Sequence, residues 1–208
     1  MEVRWKVPFT SLLAGSTGCG KTTFVRRFLS NLDEMTDTTI NQIIWCYSEL
    51  QDFYDSITDS RVTFHKGMPN IDDFSAESGG KLIIIDDMMS EMDNKIIDLF
   101  TKHSHHKNIS VFFITQNLFH KGKGMRDVSL NSHYIVCFRN PRDRKQFSFL
   151  AKQISPRNVK FLEEAYEDAT KLPYGYLLVD CHQTTDENLR IRTSIFPDDV
   201  NHFVYVPK

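Results

Sequence analysis

Two kinds of apolar run alternate along this chain. Short stretches of consecutive large or β-branched residues read as buried strands, and stretches with an apolar residue every three or four positions read as helices with one buried face. Residues 9–14 form a short strand after Pro8, and Phe24, Val25, Phe28, Leu29 and Leu32 then recur at helical spacing. Residues 40–47 read as a second strand. Residues 61–65 read as a shorter one, in which Val62 and Phe64 alternate with polar positions, and 70–74 as a helical turn. Residues 81–87 carry the consecutive aliphatics Leu82, Ile83, Ile84 and Ile85, a pattern of burial on both faces that belongs to a central parallel strand. In the helix expected next, Met92, Ile96, Leu99 and Phe100 share a face, and Asp93, Lys95 and Lys102 fall elsewhere.

Residues 109–114 are another buried strand, followed by a loop over 119–124, a short helix over 127–131 and a strand over 133–138. Residues 142–154 are amphipathic, with Phe147, Leu150 and Ala151 inward. Ser155 and Pro156 then suit the N-cap and first turn of a helix reaching about Thr170. In the tail, 174–181 and 188–196 alternate in period two around a polar loop at Asp186 and Glu187, the pattern of a β-hairpin. Strands alternating with helices predict an α/β fold with a mainly parallel sheet flanked by helices.

Between the first strand and the first helix runs Gly15-Ser16-Thr17-Gly18-Cys19-Gly20-Lys21-Thr22, which matches the phosphate-binding P-loop pattern. A chain that wraps a phosphate needs backbone angles that a Cβ forbids, hence the glycines. Its amide groups point inward at the anion, and the N-terminus of the following helix adds its dipole. Gly15, Ser16, Thr17, Gly18, Cys19, Gly20, Lys21, Thr22 and Thr23 are the candidate nucleotide-binding set. Lys21 reaches for the outer phosphates, and the Thr22 hydroxyl for Mg²⁺.

A second constellation follows from position. Asp86 and Asp87 close the aliphatic strand, where open α/β sheets place their ligands. Asp86 suits Mg²⁺, and Asp87 suits orienting or deprotonating an attacking water. On their own the two aspartates also fit a helix N-cap pair. Gln116 ends the strand expected beside them and is placed to meet the outermost phosphate or the water, or else is a solvated loop amide. Arg126, Arg139, Arg142 and Arg144 cluster further on. Arg126 is the first candidate for an arginine that stabilises a neighbouring subunit's transition state, because it falls between the Gln116 strand and the next, at an edge open to a neighbour. Arg142 is the second.

With 25 basic and 27 acidic residues the formal charge is −2, so any contact with nucleic acid must be local. Two basic stretches, 120–124 and 102–107, are candidates for it. Trp5 and Tyr174 are large enough to stack on a base, though burial in the core suits both. Cys19, Cys46, Cys137 and Cys181 have no metal-ligand spacing and read as reduced thiols of an intracellular protein. No apolar run approaches the ~20 residues of a membrane span. The length of 208 residues suits one domain.

GSTGCGKTTF at 15–24, LIIIDD at 82–87 and ITQN at 114–117 resemble the FtsK–HerA superfamily. The resemblance is to its viral branch, the genome-packaging ATPases of double-jelly-roll-capsid viruses and Polinton elements. Residues 115–154, the Asn140-Pro141-Arg142-Asp143 segment within them, and Tyr47-Ser48-Glu49 are similar to the Polinton type. The resemblance covers about 9–154, an ATPase core that leaves 155–208 as a C-terminal extension. It implies a RecA-like ASCE fold, ATP rather than GTP, Mg²⁺, and a homo-oligomeric ring, hexameric by preference. It also implies translocation of double-stranded DNA into a capsid, with a capsid vertex protein as partner, in the nucleus or cytoplasm of a host cell and in the virion. Carried over, Lys21 and Thr22 are the Walker A pair, Asp86 and Asp87 the Walker B pair and Gln116 the sensor. Asp87 departs from the superfamily's usual glutamate, and no motif fixes the arginine finger. Two other readings remain. A nucleoside or nucleotide kinase fits the P-loop and length but leaves Gln116 and the paired aspartates unexplained. A nucleotide-gated capsid-assembly scaffold needs little turnover.

Overall fold

A computed structural model of the chain describes residues 3–49, 54, 56–74, 79–88, 94–118, 123–143 and 145–207. The strands are β1 Thr10–Ala14, β2 Ile40–Tyr47, β3 Val62–Lys66, β4 Gly80–Asp86, β5 Ile109–Thr115, β6 Tyr134–Phe138, β7 Tyr176–Asp180, β8 Ile191–Thr193 and β9 Phe203–Tyr205. They form one nine-stranded sheet in the order β3-β2-β4-β5-β1-β6-β7-β8-β9. From β3 to β6 every neighbouring pair is parallel. The pairs β6–β7, β7–β8 and β8–β9 are antiparallel. The expected fold class is therefore observed, with the terminal hairpin present as β7 and β8. The addition is β9, whose mostly exposed residues carry no apolar alternation for the sequence to display.

The helices are α1 Lys21–Ser30, α2 Leu32–Met35, α3 Asn94–Asp98, α4 Ser104–His106, α5 Lys123–Leu130, α6 Lys145–Ile154 and α7 Val159–Ala169. A wider π turn, Leu99–His103, joins α3 to α4. Successive strand residues point to opposite faces, so β1 feeds two cores. Leu13 packs with Phe24, Val25, Phe28 and Leu29 of α1. On that side Trp5 stacks on Tyr134 at 4.0 Å and meets Phe9, Phe28 and Phe112 edge-on, so Trp5 is a core residue as expected. Leu12 faces the other core, with Ile96, Met125, Phe147, Leu150 and Leu162 from the remaining helices. Met92 and Asp93 lie outside the described residues. Both faces of the central strands are thus covered, which is what the unbroken aliphatic run 82–85 requires.

Several boundaries differ from expectation. Ser155 does not cap the last long helix. Its carbonyl accepts from the amide of Asn158 (3.0 Å), closing a tight turn with Pro156 in its second position, and α7 starts after Asn158. Arg142 precedes α6 rather than belonging to it. The loop expected over 119–124 ends earlier, because Met125 and Val128 both bury on the sheet and draw Lys123 and Gly124 into α5. Residues 119–122 lie outside the described residues, and so does Arg144.

Candidate active site

The glycine loop joins β1 to α1 at the C-terminal end of the parallel strands. Gly15 is required by space. A Cβ there would lie 2.7 Å from both Cys19 Sγ and Phe138 Cβ. Gly18 and Gly20 sit at φ 75 and 105, the left-handed region that a side chain disfavours. Gly20 caps α1, and the amide of Phe24 donates back to its carbonyl at 2.9 Å. The Lys21 ammonium folds over the loop and donates to the carbonyls of Gly15 (2.6 Å) and Ser16 (3.1 Å). Thr22 lies on the first turn of α1, half-buried, and Thr23 beside it is exposed.

The sheet order decides how the second constellation meets this loop. β5 lies between β1 and β4 and pairs with both. Gln116, just past the end of β5, therefore stands between the glycine loop and the aspartates at the end of β4. The amide of Gly15 donates to the carbonyl of Thr115 (3.3 Å), tying loop and strand together. Gln116 Nε2 donates to Asp87 Oδ2 at 3.1 Å, so the two groups assigned to the attacking water are in contact. Asp87 holds a left-handed φ of 49, which turns the chain out of the strand. The residues between Met88 and Asn94, where a helix capped by the aspartates would start, lie outside the described residues.

Asp86 is 5% exposed. Trp45 Nε1 donates to its Oδ2 at 3.3 Å, and Tyr54 Oη lies 3.5 Å from the same oxygen. Burial raises its pKa above the ordinary carboxylate range, against the opposing pull of those contacts and of Lys21. A desolvated carboxylate is an oxygen donor of the kind that a hard divalent cation such as Mg²⁺ takes. Nothing in the sequence singled out Trp45, which reads as one more apolar residue of the buried strand β2, or Tyr54, which lies beyond that strand. Gln146 was not anticipated either. From α6 its Oε1 accepts from the amide of Leu118 (2.9 Å) and its Nε2 donates to Asn117 Oδ1 (3.2 Å), bracing the segment that carries Gln116.

A cleft of about 340 Å³ opens here, lined by Ser16, Thr17, Gln116, Asn140, Arg142 and Gln146 among others. It draws Arg142, the second arginine candidate, to the same site as Gln116. Arg126 is exposed on α5. It does not stand at a sheet edge: β5 and β6 flank β1 in mid-sheet, and the edges are β3 and β9. Tyr174, expected in the core, is 67% exposed. The basic stretch 102–107 is in part neutralised by pairs from Lys102 to Asp98 (2.7 Å) and from Lys107 to Asp72 (3.2 Å). All four cysteines are free thiols. No helix among the described residues is long and apolar enough to cross a membrane.

No known family model matches the chain. Nor does any curated protein match it in sequence. Solved structures do match. The genome packaging NTPase B204 from Sulfolobus turreted icosahedral virus 2, in complex with sulfate, superposes with a TM-score of 0.59 at 15% identity, over 89% of this chain and 95% of that one. This chain has the fold of that packaging NTPase. B204 from Sulfolobus Turreted Icosahedral Virus, described as the DNA-packaging ATPase, matches at 0.57 with 14% identity, over 89% and 97% of the two chains. The cytoplasmic domain of the Type VII Secretion ATPase EccC from Thermomonospora curvata matches at 0.51 with 13% identity, over 90% of this chain and 27% of that one. The shared architecture is the one that the FtsK–HerA resemblance implied.

Proposed function

We propose that this protein is an ATP-hydrolysing motor subunit that moves double-stranded DNA into a preformed capsid. The observation that carries the reading is the placement of Gln116 just past the end of β5, between the glycine loop and Asp86 and in contact with Asp87. That arrangement suits hydrolysis: a water held by Asp87 and Gln116 would face the outermost phosphate of a nucleotide seated on residues 15–23. The similar packaging NTPase B204 was solved with ATP-gammaS and with AMPPCP, which supports ATP as the nucleotide here. Thr22 and Asp86 would hold Mg²⁺, which when bound supplies positive charge against the phosphate oxygens. Lys21 moves from the loop carbonyls to the phosphates, and Asp87 takes the water's proton. Trp45 and Tyr54 keep the Asp86 carboxylate in one orientation. A homo-oligomeric ring, hexameric by preference, would bring Arg126 of one subunit to the nucleotide of the next. Double-stranded DNA and a capsid vertex protein are its partners, in the nucleus or cytoplasm of a host cell and in the virion.

Turnover assays test this. Lys21→Ala should lose at least roughly 10²-fold in turnover, the scale for removing one preorganised charge-stabilising donor, with the fold intact by circular dichroism. In mixtures, Lys21→Ala and Arg126→Ala subunits should alter each other's turnover. Undiminished hydrolysis by Lys21→Ala would overturn the site, and mixtures that behave as the sum of their parts would overturn the role of Arg126.

A further inference from the structure

Tyr174 is a large aromatic residue held in the open by strained backbone. It lies in a turn closed by the amide of Gly175 donating to the carbonyl of Leu172 at 3.2 Å, with Pro173 and Tyr174 between them. Its φ is 63, a value that glycine or asparagine takes readily and a bulky residue does not. The turn cannot relax by sliding. A Cβ on Gly175 would lie 2.4 Å from the carbonyl oxygen of Ala169, and the carbonyl of Gly175 accepts from the amide of Arg139 at 3.3 Å. The strain does not serve burial, because Tyr174 is 67% exposed and Leu172 in the same turn 71%. Strain retained at an exposed residue points to function.

Its position says which function. The ring edge lies against the glycine loop: Tyr174 Cδ1 is 3.3 Å and its Cβ 3.4 Å from where a Cβ of Gly20 would stand. Asp86 and Gln116, at the ends of β4 and β5, put the outer phosphate on the β4–β5 side of β1. The turn leads into β7, on the β6 side. A triphosphate threaded through the loop with its outer end at Gln116 thus leaves the loop on the flank where Tyr174 stands. We propose that Tyr174 is the base-stacking residue of this site, offering an aromatic face to the purine of a nucleoside triphosphate, with Leu172 adding apolar surface beside it. The proposal rests on the reading of residues 15–23 as a nucleotide site.

The test compares two ligands by calorimetry on the full chain with Mg²⁺: ATP, supplied as its non-hydrolysable analogue AMPPCP so that turnover adds no heat, and inorganic tripolyphosphate, which has the phosphates without the base. Wild type should bind ATP more tightly than tripolyphosphate. Tyr174→Ala should weaken ATP about tenfold, the scale of one base–aromatic stack, and leave tripolyphosphate unchanged. Tyr174→Phe should keep ATP affinity. Tyr174→Gly should raise Tm by relieving φ yet lose ATP as the alanine variant does. Unchanged ATP affinity in Tyr174→Ala, or equal weakening of both ligands, would overturn the stacking role and leave the phosphate site standing. Wild-type protein that holds neither ligand would sink the site and the proposal together.

Discussion

Asp86 shows how one residue trades stability for chemistry. Its carboxyl is buried and its pKa is raised, chiefly by desolvation. In the unfolded chain the same group ionises at the ordinary carboxylate value. The folded protein therefore binds the proton more tightly, and stability falls as pH rises from the unfolded pKa through the folded one. Asp86→Asn removes that burden while leaving an oxygen to accept from Trp45. Its Tm should exceed the wild-type value at pH 7 and approach it in acid, while Mg²⁺-dependent turnover is lost. Thermal melts at both pH values check this; a lower Tm for the variant at pH 7 would show that the charge is compensated within the chain. Lys21, Thr22, Asp86, Asp87 and Gln116 were legible in the sequence because each stands at a fixed offset from a strand or glycine signal. Trp45, Tyr54 and Gln146 were not, since support from a distant strand or helix leaves no local pattern. Tyr174 was misplaced for a related reason: a tyrosine reads as core until the backbone shows that it cannot turn inward.

At the scale of elements, the antiparallel strands at the end of the sheet contain a buried ion pair. Arg192 Nη2 donates to Asp180 Oδ2 at 2.7 Å, and the Asp180 carboxylate also accepts from the amide of His182 and the hydroxyl of Thr185, each at 3.0 Å. Burial raises the pKa of Asp180 and lowers that of Arg192, so desolvation outweighs the attraction between them. A pair of this kind fixes which residues meet across β7 and β8 more than it stabilises them. Arg192→Ala, which strands the aspartate, should cost about 3–5 kcal/mol, and Asp180→Asn with Arg192→Met should recover most of that loss. Urea unfolding midpoints decide it; a double variant as weak as the single one would make the pair a net stabiliser. The hairpin that holds the pair was legible from its alternation. β9 was not, because a short exposed strand is specified by its partner β8. The start of α7 was misjudged because Ser155 and Pro156 serve a turn as well as they serve a cap.

For the whole molecule, the sheet order matters more than any motif. A P-loop specifies a nucleotide, and β5 between β1 and β4 sets Gln116 against Asp87 beside that loop, the arrangement on which the proposed hydrolysis rests. A charge of −2 leaves no general attraction for DNA, so the proposed motor would have to gather its DNA contacts in a ring and would lose them steeply with salt. The most direct measurement is ATP hydrolysis by the purified protein with and without linear double-stranded DNA, taken together with its mass in solution. The account predicts hydrolysis that rises with DNA, falls back as salt is added, and accompanies a ring-sized species. A monomer whose hydrolysis ignores DNA at every salt concentration would contradict it.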